Sequence, residues 1–131
     1  MTPAPRVASF LLCDRITEDA GHKLSLHGLF NALSLDSFPA VVRDTWLYCA
    51  LSGGRGEVRV SLRLVDAADL DPAPVIATAA PVTFRGPLDV AEVALSFEAL
   101  RFPAPGVYAW QVLAGGELLD ERRIGVTRAG G

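Results

Sequence analysis

Lysine is almost missing from this chain. Lys23 is the only one, and the other basic residues are arginines. With abundant Ala, Gly and Pro, that bias marks a GC-rich genome rather than a functional device. No basic footprint exists either: 12 Lys and Arg stand against 15 Asp and Glu, for a net charge of -3. This argues against nucleic-acid binding, which needs a clustered positive surface to neutralise phosphates. Long apolar runs are absent, and none reaches the roughly 18 residues that a membrane-spanning helix requires. Val7 to Cys13 is apolar after a single Arg6, yet it lacks the longer apolar region and small-residue cleavage site of a secretory signal. A lipoprotein signal would want a small residue where Leu12 stands. The expectation is a cytoplasmic protein with no membrane contact.

Cysteine is scarce as well. Cys13 and Cys49 are the only two, each in apolar strand-like surroundings, so they read as reduced, buried small hydrophobes. A disulfide between two sheets is the sharper alternative. No CxxC or paired histidine completes a metal site. Signatures of catalysis are missing too. Ser25 has no G-x-S-x-G context, and Ser9, Ser34 and Ser96 lie in strand-like segments. Gly53-Gly54-Arg55-Gly56 lacks the Lys-Ser/Thr of a phosphate-binding loop and opens no helix. The expectation is a protein that is not an enzyme and carries no cofactor.

What is present is strand periodicity. At 131 residues the chain can bury one core without metal or disulfide support. Arg6 to Asp14 reads as a first strand after a loose arm, Met1 to Pro5. Glu18 to His22 reads as a turn, with Gly21 offering the reversal. Lys23 to Leu35 reads as one long strand, broken in phase at Gly28 and closed by Phe38-Pro39. Thr45 to Leu51 follows, then a Gly-rich hairpin at Ser52 to Gly56. Val58, Val60, Leu62 and Leu64 alternate with Arg59, Ser61 and Arg63, the clearest period of two in the chain. Pro81 demotes Val75 to Phe84 to an edge or bulged strand. Val90 to Leu100, Val107 to Leu113 and Glu117 to Thr127 complete the set, the last two joined by Gly115-Gly116, a type I′ hairpin signal. A short tail, Arg128 to Gly131, closes the chain. About eight short strands with little or no helix predict an all-β, antiparallel β-sandwich of immunoglobulin-like type. Pro105-Gly106-Val107-Tyr108 resembles the corner at which a tyrosine hydroxyl of such domains bonds back to upstream backbone.

FLLCD at Phe10–Asp14, GHKLSLHGLF at Gly21–Phe30 and SFPA at Ser37–Ala40 carry a further resemblance. The pattern is similar to that of an uncharacterised family of small bacterial proteins, a domain of unknown function. The resemblance spans nearly the whole chain and implies a bacterial sandwich domain, with no catalytic residues to carry over.

Several constellations remain to be weighed. Asp14, Glu18, Asp19 and His22 crowd one loop, and Asp66, Asp69 and Asp71 another. Both offer hard oxygen ligands, but neither has the regular spacing of a calcium loop, so they read as solvated charge. With consecutive strands antiparallel, strand parity puts the two loops at opposite ends. Arg59 and Arg63 form a basic stripe that blunts a sheet face. His22 and His27 lack a third polar partner. The terminal Gly130-Gly131, preceded by Arg128, resembles the diglycine end of ubiquitin-like modifiers, although no central helix of a β-grasp is evident. Hydrophobic residues make up 50% of the chain, with mean hydropathy +0.32, which suggests a surface patch that a partner covers. The leading expectation is a protein-interaction or assembly module whose partner is another protein or a second copy, as in a homodimer. The alternative is a small-molecule or metal-ion binder using the end loops.

Overall fold

Period-two alternation closes into two facing sheets. The computed structural model describes residues 4–69 and 74–130 and contains nine strands and no helix among them. They are β1 (Arg6–Glu18), β2 (Leu24–Phe30), β3 (Ala32–Leu35), β4 (Ala40–Ser52), β5 (Gly56–Asp66), β6 (Ile76–Phe84), β7 (Val90–Phe102), β8 (Gly106–Ala114) and β9 (Glu117–Arg128). One sheet has the order β2-β1-β4-β7, the other β3-β9-β8-β5-β6. Every ladder is antiparallel except β3 with β9, which is parallel. The protein is an all-β sandwich, as the sequence predicts. Asp71 and Gly131 lie outside the described residues.

The core lies between the sheets. Phe10, Leu12, Leu47, Cys49 and Leu51 face inward from the four-stranded sheet, and Val60, Leu62, Leu64, Trp110 and Val112 from the five-stranded one. Each large apolar side chain contributes about 1.5–3 kcal/mol when fully buried. Trp110 is only 1% exposed and lies 5.1 Å from Phe97 of the opposite sheet, centroid to centroid. The tyrosine corner is formed as expected: Tyr108 Oη donates to the Ala104 carbonyl at 2.7 Å. The ring also meets Phe102 edge-on, with centroids 5.0 Å apart. The Gly115-Gly116 hairpin and the edge placement of Pro81 on β6 match the sequence reading too.

Three features depart from it. The long strand over Lys23 to Leu35 is two strands in different sheets: β2 pairs with β1, while β3 leaves at Asn31 and runs beside β9. The Gly-rich segment at Ser52 to Gly56 is not a hairpin but an arch, since β4 and β5 belong to opposite sheets. Gly54 is buried there against the Phe84 ring, whose Cε2 would lie 2.5 Å from any Cβ. The extra strand also overturns the parity argument. Arg6, at the start of β1, pairs with Ser52, and β5 starts just beyond at Gly56. Both β1 and β5 therefore run away from that end, and the Asp19 turn and the Asp66–Asp69 segment lie at the same end of the sandwich.

Gly28 holds the first hairpin in shape. Its φ is +70°, and a Cβ there would sit 2.2 Å from Asp14 Oδ2. Gly28→Ala should therefore lower stability by about 1–3 kcal/mol through strain and clash together. An added Asp14→Ala should recover only the clash. Tyr108→Phe should cost about 1 kcal/mol, because the Ala104 carbonyl loses its donor. Urea denaturation of the variants measures both.

Candidate functional site

The crowded loop after β1 is organised around its own backbone. Asp19 Oδ1 accepts from the Gly21 and Lys23 amides at 2.8 and 3.0 Å, while the His22 amide donates to the Asp19 carbonyl at 3.0 Å. The left-handed residue of the turn is His22, φ 61°, rather than Gly21. Glu18 Oε1 is 2.9 Å from His22 Nδ1. Asp14 lies against Gly28, along the strand rather than in the loop. His27 Nε2 is 3.0 Å from Thr17 Oγ1, away from His22. The structure therefore pairs Glu18 with His22 but does not gather Asp14, Glu18, Asp19 and His22 around one point. Asp66 accepts from the Ala68 amide at 3.0 Å in a turn of its own. Among the described residues no group of three or more His, Cys, Asp or Glu could hold a metal ion.

The stripe of Arg59 and Arg63 faces outward from the five-stranded sheet. Arg63 Nε donates to Gln111 Oε1 at 2.6 Å, Gln111 Nε2 donates to Glu121 Oε2 at 3.2 Å, and Glu121 pairs with Arg123 at 3.6 Å. A polar row thus crosses three strands, while Arg59 stands beside Pro81 at the edge. Gly130, φ 71°, follows β9 after the Ala129 amide has donated to the Leu35 carbonyl at 2.8 Å. At the end shared by the acidic turns, Pro39, Ala40, Val41, Val75, Arg101 and Pro103 line a cavity of about 480 Å³.

The outer face of the four-stranded sheet is different, and sequence reasoning did not single it out. Register fixes its rows. Leu29 of β2, Cys13 of β1, Trp46 of β4 and Ser96 of β7 form one. Leu11, Tyr48 and Ala94 form the next, then Ser9, Ala50 and Glu92. Arg15 and His27 bound the face on the other side. Leu29 is 60% exposed and Leu11 41%. Seven large apolar side chains are exposed among the described residues, and four of them, Leu11, Leu29, Val41 and Val90, belong to this face. One signal lay in β4. Trp46, Leu47, Tyr48, Cys49, Ala50 and Leu51 are apolar or aromatic at both phases, the pattern of a strand covered on both sides.

Tyr48 Oη donates a hydrogen bond to Glu92 Oε2 across this face. Burial, then that bond and the Glu92 charge, push the phenol up to about 12. The two thiols are free and buried, on opposite faces of the sheet: Cys49 packs in the core, Cys13 between Leu29 and Trp46. That placement excludes a bond between them. Burial raises Cys13 and, aided by the Asp120 charge, lifts Cys49 to about 11.

The sequence model described as "Family of unknown function (DUF6941)" matches residues 8–127. No curated protein matches the chain. Solved structures of a beta-glucosidase from Listeria innocua, in complex with gluconolactone, glucose or isofagomine, align over 91% of this chain at a TM-score of 0.47. Identity there is 12% or 13%, and the chain spans 16% of that enzyme's length.

A phenol with a raised pKa holds its proton more tightly in the folded state. The stabilisation is complete below the unfolded value of about 10 and is lost as pH rises through about 12. Near-ultraviolet absorbance titration should show a late tyrosinate component that Tyr48→Phe removes and Glu92→Gln moves to lower pH. Both thiols should react slowly with an aromatic disulfide reagent at mildly alkaline pH, because neither supplies thiolate, and rapidly once the chain is unfolded.

Proposed function

The chain belongs to DUF6941, a family of unknown function, and we propose that it is a non-catalytic protein-interaction or assembly module working through the outer face of its four-stranded sheet. The observation that carries this reading is strand β4, apolar at both phases although only one of its faces meets the core. An apolar sheet face without a covering layer leaves surface that burial would stabilise by about 25 cal/mol per Å². The contrast with the other sheet supports it, since hydrogen-bonded polar side chains cross that sheet's outer face. Among the described residues no helix is long and apolar enough to cross a membrane. We also infer an immunoglobulin-like arrangement. It is supported by the tyrosine corner and by the order β1-β4-β7 opposite β9-β8-β5.

A second reading, a small-molecule binder, rests on the end cavity of about 480 Å³, whose apolar wall carries one cation among the described residues, Arg101. That volume falls within the range of ligand sites, and the lining suits a small apolar acid. Thermal-shift measurement with short-chain fatty and aromatic acids tests it: stabilisation that Arg101→Ala abolishes supports this reading, and silence across the series removes it.

For the leading reading, the tagged protein and its Leu29→Asp variant are compared in affinity capture from cells of the source organism, with self-association followed in parallel. Both positions are exposed or half-exposed, so Leu29→Asp and Leu11→Asp should fold with melting temperatures close to the parent. The expected result is loss of associated protein, of either kind, in both variants. Identical association by parent and variants would sink the reading.

A further inference from the structure

We propose that the partner on this face is a second copy of the chain, packed sheet on sheet with the strands of the two copies crossing close to a right angle. The inference rests on the preceding reading and names its partner.

The argument comes from where the charges sit around the apolar centre. That centre lies between the row of Cys13 and Trp46 and the row of Leu11 and Tyr48. Glu92 stands one row beyond it on β7, at one corner of the sheet. His27 stands one row beyond it in the opposite direction on β2, at the diagonal corner, with Arg15 beside it on β1. With strands about 4.8 Å apart and residues about 3.3 Å apart, the two corners are equidistant from the centre.

A two-fold axis lying between two such faces reflects each position of one copy onto the other. An axis perpendicular to the Glu92–His27 diagonal runs at about 55° to the strands on those spacings, so the strands of the copies cross at about 110°. That one axis places Glu92 of each copy against His27 and Arg15 of the other, twice over. It also sets Tyr48 of each copy over Cys13 of the other, and the two Trp46 side chains meet near the axis. An isologous interface has to be self-complementary in this way. An axis running across the strands would instead carry Glu92 onto its own strand, β7, against Glu98.

The chemistry of the corners fits. Arg15 takes part in none of the ion pairs formed by the described residues. Glu92 uses Oε2 for Tyr48, and a carboxylate has a second oxygen to accept from an arginine. The apolar rows would supply the affinity and the corners the register. The face measures about 20 Å by 25 Å, about 500 Å² per copy, which sets the interface just below the standard range and makes the dimer a weak one.

Sedimentation velocity over a concentration series reads the result on the full chain. The parent should dimerise, and Arg15→Glu and Glu92→Arg should each weaken the dimer by about tenfold to a hundredfold. The combined Arg15→Glu/Glu92→Arg variant should regain most of the loss, which a merely structural role for either residue would not produce. Circular dichroism melts confirm that each variant is folded. Glu92→Arg also breaks the bond to Tyr48, so Tyr48→Phe serves as the control for that loss alone. A parent that stays monomeric to roughly 100 μM, a concentration at which even weak homodimers are populated, overturns the proposal. So does a dimer indifferent to both charge reversals, or a double variant no better than the singles. If the parent is monomeric while Leu29→Asp still abolishes capture of other proteins, the homodimer fails and the interaction reading stands. If Leu29→Asp changes neither, both fail.

Discussion

The contact between Trp110 and Phe97 is the constraint on which the rest depends, because it is made across the gap between the sheets. Trp110 comes from β8 and Phe97 from β7, and the two rings lie 5.1 Å apart at 39°. A side chain of that size fixes the separation and the lateral offset of the layers around it. With the offset set, Leu47 and Leu51 of one sheet and Leu64 and Val112 of the other pack into one buried cluster. Core packing in turn decides which phase of each strand faces out, and so which residues the surface presents. The outer rows of the four-stranded sheet are a by-product of inner rows that had to meet Trp110.

Much of this was legible in the sequence where one face of a strand is apolar and the other polar. Val58 to Leu64 is such a strand, and β5 places Val60, Leu62 and Leu64 inside and Arg59 and Arg63 outside. The tyrosine corner was legible because its chemistry is local: hydroxyl and carbonyl are four residues apart. The break between β2 and β3 was not. Leucines continue through Leu29, Leu33 and Leu35, and alternation does not state which sheet a strand joins. Only a partner at the far end of the chain, β9, settles that. The missed strand then inverted the parity of every later loop, which is why the two acidic turns share an end.

The outer face of the four-stranded sheet was hidden for a related reason. Periodicity identifies an amphipathic strand by the contrast between its faces. Where both phases are apolar, as from Trp46 to Leu51, contrast vanishes and everything reads as core. The loop with three acids and a histidine drew attention because its residue types are conspicuous. Its backbone uses them: Asp19 caps two amides, and Glu18 and His22 hold each other. Conspicuous chemistry was structural, and the unremarked leucines carry the more distinctive surface.

The parallel ladder of β3 and β9 sets the order in which the chain can be completed. Leu33 pairs with Val126, so while the protein is being made, β3 has no strand to join until β9 has left the ribosome. At 5–20 residues per second that interval is roughly 5–20 s. The four-stranded sheet needs nothing beyond Phe102, so its ladders can form while Leu33 and Leu35 still wait. Strand β9 therefore acts as a latch, and β3 is sealed into its sheet only when β9 arrives.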